Sequence, residues 1–340
     1  MEAGAPLAFV AIGRNEGERL QRCLRSLTAV SRRIVYVDSG STDGSVEFAR
    51  GLGCQVVELD MSLPFSMARG RNAGWRQAVE LWPDTQFIHF IDGDCELLAD
   101  WVPAALAFLG GHERVAVVCG RRRERHPQRS LFNRLCESEW NTPLGETRAC
   151  GGDAIMRLSA LSACGGFDEC LIAGEEPELC LRLRNSGWRI HRIDHDMTLH
   201  DADITAWRQW WRRCKRGGYG AYDVMRRTAK LPGGPLFATA VRSAVRWMTG
   251  SLAALLVALA VGVFLSWPLA GVVALAVPGL WSLQALRIAM RARGRCDGWR
   301  EAAEYGVCTM LAKIPQCLGI LQSRRDHAAS RQAEIIEYKS

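Results

Sequence analysis

The sequence of 340 residues lacks the cysteine spacing that builds a zinc site or a disulfide framework. It contains 13 cysteines, an odd number, and no Cys-X-X-Cys pair. Such a set fits a reducing compartment, where thiols stay free. The first residues, Met1–Pro6, also lack the basic and apolar regions of a secretory signal. These absences predict that the globular part of the chain lies in the cytoplasm.

Charge is missing from one long stretch. Trp247–Leu286 contains no Asp, Glu, Lys or Arg in 40 consecutive residues. A bilayer core about 30 Å thick needs about 20 helical residues for each crossing. We therefore predict two membrane spans, Trp247–Trp267 and Pro268–Leu286. Arginines stand at both outer ends, so the positive-inside rule predicts a hairpin in the inner membrane with both ends in the cytoplasm.

The formal net charge of +7 is concentrated just before this stretch. Asp201–Arg246 contains ten Lys or Arg and three Asp, a balance equal to that of the whole chain. From Trp207 onward, tryptophans recur on one face of a predicted helix and arginines on another. This helix either lies at the lipid headgroup boundary or packs its tryptophans on the rest of the protein. The later segment Glu301–Leu321 is interrupted by charges and a proline, which favours a helix along the membrane interface over a third span.

A second basic run, Arg121–His126, has two interpretations. It is either a solvated face or a patch that steers an anionic ligand. Aromatic residues do not interleave with its arginines, and the chain has no nucleic-acid-binding motif. We therefore predict no nucleic acid partner.

Short apolar runs alternate with amphipathic helices in the first part of the chain. This alternation predicts an α/β fold with a mostly parallel, Rossmann-like sheet. The carboxyl ends of parallel strands meet at one edge, where open sheets bind their ligands. The predicted strands are Leu7–Ile12, Arg32–Val37, Gln55–Leu59 and the run that begins at Phe87.

Carboxylates follow two of these strands directly. Asp92 and Asp94 end the run from Phe87, and their oxygens suit Mg²⁺ or Mn²⁺, which can bridge to a diphosphate. Asp38 ends the second strand and either caps a turn or accepts a hydrogen bond from a nucleobase or ribose. The pattern predicts a cation site with a phosphorylated ligand at this edge.

Three glutamates stand at the start of a later helix, in the segment Gly174–Leu179, where Pro177 marks a first helical turn. Acids at that end are favoured by the helix dipole alone. Alternatively, one of them is a general base that removes a proton from an acceptor hydroxyl. The residue pattern by itself leaves both interpretations open.

Four motifs, taken together and in this order, resemble the family 2 glycosyltransferases of GT-A fold. They are Asn15-Glu16, Val37–Gly44, Ala68–Gly74 and Asp92–Asp94. The resemblance covers about residues 7–200. It implies a nucleotide-diphosphate sugar as donor. It also implies nucleotide binding by Gly13, Asn15, Glu16, Asp38, Arg71 and Asp92.

The same resemblance implies the remaining site. A divalent cation, Mg²⁺ or Mn²⁺, would be held by Asp94 with Asp92 and His200, and His195 is the reserve for the histidine. In the family the second acid of the helix-start motif is commonly the base, which here is Glu176, with Glu175 beside it. Acceptor binding is assigned to Asp153 and Trp188.

We therefore expect a GT-A catalytic domain over residues 1–204 and basic, Trp-rich interfacial helices over 205–246. A transmembrane hairpin would follow over 247–286, then an interfacial helix and tail over 287–340. The expected function is an inverting, metal-dependent glycosyltransferase with a lipid-linked or membrane-proximal glycan acceptor. The rival classes are a nucleotidyltransferase of similar fold and a non-catalytic, nucleotide-binding membrane scaffold.

Overall fold

The structure is a computed structural model that describes residues 6–331 and 334–337. Residues 1–5, on which the absence of a signal was argued, lie outside this range. So do residues 332–333 and 338–340 of the predicted C-terminal segment.

The described residues form one mixed sheet of nine strands. Its order is β3-β2-β1-β4-β8-β6-β9-β5, and β7 also pairs with β9. The strands are β1 Leu7–Gly13, β2 Ile34–Asp38, β3 Gln55–Glu58, β4 Phe87–Asp92, β5 Cys95–Leu97, β6 Val115–Glu124, β7 Gly145–Thr147, β8 Ala154–Arg157 and β9 Arg189–His200.

The α/β class is confirmed, and the sheet is parallel from β3 to β4. β1, β2 and β4 read as apolar runs because helices and neighbouring strands bury them, whereas the residues of β3 are exposed or half-buried. Beyond β4 the sheet becomes mixed, since β8 is antiparallel to both β4 and β6. Asp38 ends β2 and Asp92 ends β4, and these two strands pair with β1 from opposite sides. Gly13 of β1 pairs with Asp38 in register.

Seven helices of the described chain connect or flank these strands. In α1, the residues Leu20, Cys23, Leu24 and Leu27 are buried, as a stripe with helical spacing should be. The N-terminus of α3 is capped by Ser66, whose hydroxyl accepts from the Arg69 N–H at 3.2 Å. The helices are α1 Glu18–Thr28, α2 Ser45–Gly51, α3 Met67–Leu81, α4 Trp101–Gly110, α5 Leu131–Trp140, α6 Leu158–Ala163 and α7 Glu175–Asn185.

The strands β6 and β9 are longer than their apolar cores. β6 continues past its apolar residues through Glu124, so much of the basic run Arg121–His126 belongs to a strand. Its partner β9 runs parallel to it, and their last paired residues are Glu124 and His200. The extension carries charged side chains to the carboxyl edge of the sheet.

Five helices complete the described chain: α8 Trp207–Arg227, α9 Ala238–Phe264, α10 Trp267–Ala292, α11 Gly298–Leu311 and α12 Lys313–Ala328. The packing interpretation of the tryptophan face of α8 holds for Trp210, and the location of this helix at the lipid headgroup boundary stays a prediction. Trp210 is buried and stacks on Phe132 of α5 with ring centroids 5.6 Å apart. Trp207, one turn earlier, remains exposed.

The helices α9 and α10 are long and apolar enough to cross a membrane. Only 11% of the most apolar window of each helix is buried, so they are not core helices of a soluble fold. The turn falls at Leu265–Ser266, one to two residues before the predicted boundary, and Trp267 therefore begins α10 instead of ending α9. The hydroxyl of Ser266 caps α10 by accepting from the Leu269 N–H at 3.4 Å.

The single C-terminal helix expected over Glu301–Leu321 is two helices instead. The helix is interrupted at Ala312, between α11 and α12. Pro315 lies in the first turn of α12, where its missing N–H removes no helical hydrogen bond. Its proximity to the break accounts for the division.

Candidate active site

A cavity of about 460 Å³ opens at the carboxyl edge of the sheet. Its walls come from the β1–α1 loop, the end of β4, the start of α7, the end of β9 and one face of α8. Of the predicted site residues, those that line it are Gly13, Asn15, Glu16, Arg71, Asp92, Asp94, Glu175, Glu176 and His200.

Asp94 and His200 form the candidate metal pair. The Nε2 atom of His200 lies 3.2 Å from Oδ2 of Asp94, and its Nδ1 atom lies 3.4 Å from Oε2 of the buried Glu124. Burial lowers the pKa of His200, but the carboxylates of Asp94 and Glu124 outweigh it and raise the pKa overall. A carboxylate behind a ligating imidazole is the usual support of a metal-binding histidine. His195, the reserve candidate, does not line the cavity.

Cys95 lies beside this pair, with its Sγ atom 3.5 Å from Asp94. Possible ligand atoms of Asp94, Cys95 and His200 lie within 4.8 Å of one another. Burial raises the pKa of the Cys95 thiol well above its usual value. The protonated thiol is a poor ligand, so the oxygen and nitrogen of Asp94 and His200 are the better donors.

Asp92 accepts hydrogen bonds from two arginines. Its Oδ1 atom accepts from Arg71 at 2.8 Å and its Oδ2 atom from Arg122 at 3.1 Å. These pairs leave Asp92 less suited to metal binding than Asp94, although it lines the same cavity. The structure thus brings Asp92 to the predicted place but with both oxygens engaged.

The start of α7 places two glutamates against one arginine. Nη1 of Arg71 lies 2.6 Å from Oε1 of Glu175 and 3.1 Å from Oε1 of Glu176. The Glu175 side chain is 1% exposed and that of Glu176 is 14% exposed. Burial and the charge of Glu175 raise the pKa of Glu176 to about 7, against the opposing effect of Arg71. A carboxyl group with that pKa can take up a proton near neutral pH.

The β1–α1 loop is fixed to the loop after β2. Asn15 has a φ of 52°, and its N–H donates to Ser41 at 2.9 Å while its side-chain oxygen accepts from the Thr42 N–H at 2.7 Å. This pairing holds Gly13, Asn15 and Glu16 along the cavity wall.

Asp38 lies beneath this wall and does not line the cavity. Its carboxylate accepts from the Tyr36 hydroxyl at 2.8 Å and from the N–H groups of Gly40 and Ser41. The side chain is buried and shapes the turn after β2, as the turn interpretation expected. Its contact with a nucleotide stays a prediction.

The structure does not bring the two predicted acceptor residues to the cavity. Asp153 is fully buried, and its oxygens accept from Arg122, from Thr198 and from the backbone of Asp92. Trp188 precedes β9, whose first residue pairs with the first residue of β6, at the opposite edge of the sheet. The length of β9, roughly 3.3 Å per residue over 12 residues, separates it from His200.

Several lining residues were not predicted: Arg14, Arg19, Phe65, Arg122, Trp140, Arg213, Arg216 and Glu337. The sequence pattern could have predicted one of them, Arg122. Side chains alternate along a strand, so an extended β6 directs Arg122 and Glu124 to the same face. The C-terminal Glu337 lies at the cavity because its carboxylate pairs with Arg14 at 2.5 Å.

The fold and the site together define a class of protein. The chain aligns with a mannosyltransferase from Pyrobaculum calidifontis, solved with GDP-Man and Mn²⁺, at a TM-score of 0.59 and 16% identity. The alignment covers 94% of this chain and 88% of that one, and it shows the GT-A fold.

A comparison with family models finds a match in the first part of the chain. Residues 10–156 match the model of glycosyl transferase family 2. The matched residues include the four motifs, although the match ends before the expected limit near residue 200.

Two relatives extend the similarity. The succinoglycan biosynthesis protein ExoA of Rhizobium meliloti is 29% identical over 188 residues, which are 52% of this chain and 56% of ExoA. The pre-mycofactocin glycosyltransferase of Mycobacterium tuberculosis is 28% identical over 305 residues, covering 81% of this chain and 62% of that protein. The chain thus spans less than two thirds of the length of each of these relatives.

Proposed function

We propose that this protein is an inverting, metal-dependent glycosyltransferase. It moves a sugar from a nucleotide-diphosphate donor to a lipid-linked or membrane-proximal glycan acceptor. The observation that carries the proposal is one cavity lined both by the Asp94–His200 pair and by Glu176. The match to the family 2 model and the two glycosyltransferase-related proteins support the reaction class.

The donor atoms present fit a divalent cation. Asp94 offers a carboxylate oxygen and His200 an imidazole nitrogen at 3.2 Å from it, a combination that Mn²⁺ accepts. When bound there, such a cation would neutralise charge on the departing nucleoside diphosphate. The mannosyltransferase of similar fold was solved with GDP-Man and Mn²⁺.

The protein's own groups supply the proton transfer. Glu176 takes the proton of the acceptor hydroxyl as that oxygen bonds to the anomeric carbon of the sugar. The bond from this carbon to the diphosphate oxygen breaks, and its electron pair leaves with the nucleoside diphosphate. One displacement from the opposite side inverts the anomeric carbon. Arg71 positions Glu176, since its Nη1 atom lies 3.1 Å from the carboxylate.

The membrane part supports an acceptor at the lipid surface. α9 and α10 have the length and composition of membrane spans. Arginines flank them on both outer sides, at Arg242 and Arg246 and again at Arg287 and Arg291. By the positive-inside rule, the catalytic domain lies on the cytoplasmic face of the inner membrane.

The test uses the full-length protein in detergent with a panel of nucleotide sugars and Mn²⁺ or Mg²⁺, following the release of nucleoside diphosphate. Glu176→Gln should lower turnover at least about 100-fold, the usual contribution of a general base, with nucleotide affinity retained. Asp94→Asn should lower turnover and raise the cation concentration needed for half-maximal activity. Glu18→Gln, an 89% exposed glutamate of α1, is the control.

Three results would contradict the proposal. Release of inorganic diphosphate would indicate a nucleotidyltransferase. Full turnover in Glu176→Gln would remove the proposed base, and no turnover with any donor would favour a binding scaffold.

A further inference from the structure

The helix α8 presents a pair of arginines to the active-site cavity. Arg213 and Arg216 both line it, and their spacing of three residues places them on one face of the helix. Side chains with that spacing start about 5–6 Å apart. They can therefore act on one ligand group together.

The packing of α8 sets where these arginines stand. A Cβ atom added to Gly220 would lie 2.6 Å from the carbonyl oxygen of Ala173, so the helix touches the segment that leads into α7. Arg216 lies four residues before Gly220, about one helical turn along the same face. This register places Arg216 next to the start of α7, where Glu176 faces the cavity.

Three other cavity arginines pair with carboxylates near Asp92 and Glu16, and Arg14 pairs with Glu337. Arg71 and Arg122 neutralise Asp92 and its neighbours, and Arg19 pairs with Glu16 at 2.8 Å. Arg213 pairs with Glu139 of α5, at 2.8 Å. That carboxylate is 38% exposed, so solvent screens the pair and a ligand can exchange with it.

We propose that Arg213 and Arg216 bind a phosphate or diphosphate group of the acceptor, while its attacking hydroxyl faces Glu176. This rests on the proposed function and specifies the chemistry of its acceptor. Arginine's planar fork matches phosphate oxygens, and two of them match a dianion better than a single carboxylate. The group sits on the acceptor side because the base, which must face the acceptor, begins α7, and α8 contacts the segment that leads into this helix.

The position of α8 in the chain gives the pair its connection to the membrane. α8 precedes α9, the first helix long and apolar enough to span a bilayer, by ten residues. A phosphate group that reaches Arg213 and Arg216 can belong to a lipid carrier or to a water-soluble phosphorylated glycan. The two sources share the recognition chemistry, and the experiment separates them.

The test measures binding by calorimetry to full-length protein in discs of zwitterionic phosphatidylcholine. The probes are farnesyl diphosphate, farnesol and inorganic diphosphate. The double variant Arg213→Gln/Arg216→Gln should bind farnesyl diphosphate at least tenfold more weakly, with farnesol binding within twofold of the wild type. Arg208→Gln, an exposed arginine of α8 that does not line the cavity, is the control and should bind like the wild type.

Affinities for the two charged probes identify the source. Tighter binding of farnesyl diphosphate than of inorganic diphosphate supports a lipid-linked acceptor, and equal binding supports a water-soluble one. Discs containing phosphatidylglycerol should leave the difference between wild type and double variant in place. If they abolish it, the arginines bind membrane headgroups and the proposal is overturned.

Three further results would overturn it: farnesyl diphosphate affinity in the double variant within threefold of the wild type, an equal loss in Arg208→Gln, or a parallel loss of nucleoside diphosphate affinity in Mn²⁺. The last result would assign the pair to the donor site. Failure of the proposed function is seen separately, as full turnover in Glu176→Gln.

Discussion

Arg71 connects three acidic residues of the site. This buried cation pairs with Asp92, Glu175 and Glu176, and Arg122 pairs with Asp92 from the other side. Carboxylates outnumber guanidinium groups in this cluster, so repulsion between the carboxylates raises the pKa of the acid that protonates most readily. Glu176 is that acid, because its pKa is raised by burial and by Glu175.

The first prediction is the pH dependence of turnover. Glu176 must be ionised to accept a proton, and its pKa is raised to about 7. The rate under saturating substrate should therefore rise with pH and level off above about pH 7, falling about tenfold per unit below it. Glu175→Gln removes a charge that raises this pKa and should shift the rise to lower pH. A wild-type rise near pH 4.5, or a shift to higher pH in Glu175→Gln, would contradict the assignment.

The second prediction concerns Asp153, which sequence resemblance assigned to the acceptor. Burial works against its ionisation, but Arg122 and the Thr198 hydroxyl lower its pKa below the usual value. Asp153→Ala leaves Arg122 with less compensation and should destabilise the protein by about 3–5 kcal/mol. Chemical unfolding followed by tryptophan fluorescence measures this loss. Thr198→Val, which removes one neutral donor, should cost about 1 kcal/mol.

An acceptor role for Asp153 would give another pattern. The KM for the acceptor would then rise in Asp153→Ala while unfolding stayed close to that of the wild type. The fully buried position of the side chain argues against this outcome.

Sequence alone predicted the place of two acids at the end of β4, whereas Asp38, which ends β2, does not line the cavity. Asp92 and Asp94 end an apolar run, and that position alone indicates the carboxyl edge of the sheet. Arg122 was missed because a charged run normally marks a solvated face. In this chain it extends a strand whose alternation directs one arginine inward to Asp153.

At the scale of elements, two helices meet through glycines. A Cβ atom on Gly218 of α8 would lie 2.1 Å from the carbonyl oxygen of Gln316 in α12. One on Gly319 of α12 would lie 2.0 Å from the carbonyl oxygen of Lys215 in α8. The two backbones therefore pass each other in direct contact, and this contact fixes α12 to the helix that carries Arg213 and Arg216.

The third prediction tests this crossing. Gly319→Ala requires the backbones to separate and should loosen α12, which raises amide hydrogen exchange across Lys313–Ala328. Gly217→Ala is the matched control, because a Cβ atom there meets nothing within 4 Å. Gly217→Ala should slow amide hydrogen exchange in α8 slightly, since alanine stabilises a helix relative to glycine by about 1 kcal/mol. Equal exchange in the two variants would show that the contact does not hold α12.

The C-terminal helices show what local pattern cannot supply. Glu301–Leu321 was expected to be one helix along the membrane interface because its charges interrupt an apolar sequence. Gly306 of α11 instead packs on the carbonyl oxygen of Ala285 in α10, and Gly319 of α12 packs on α8. Such contacts are made with backbone that is distant in sequence. The residue pattern within the segment therefore cannot predict them.

For the whole molecule, the parallel pairing of the first strands could be predicted and the completion of the sheet could not. β1 to β4 alternate with helices at short spacing, which restricts them to parallel pairing. β8 enters antiparallel between β4 and β6, and β6 pairs with a strand more than 60 residues later. Pairing over such separations depends on the folded surfaces already present.

The last prediction is the orientation of the whole molecule in the membrane. Ser266 lies exposed at the turn between α9 and α10, and Cys170 is an exposed cysteine of the catalytic domain. If arginines hold both ends of the hairpin in the cytoplasm, Ser266→Cys in a Cys170→Ser background should react with a membrane-impermeant maleimide in spheroplasts. Cys170 in the otherwise unchanged protein should react only after lysis. Reaction of Cys170 in sealed spheroplasts would place the catalytic domain outside and contradict a cytoplasmic donor site. A reaction of the Ser266→Cys variant that needs lysis would contradict the hairpin.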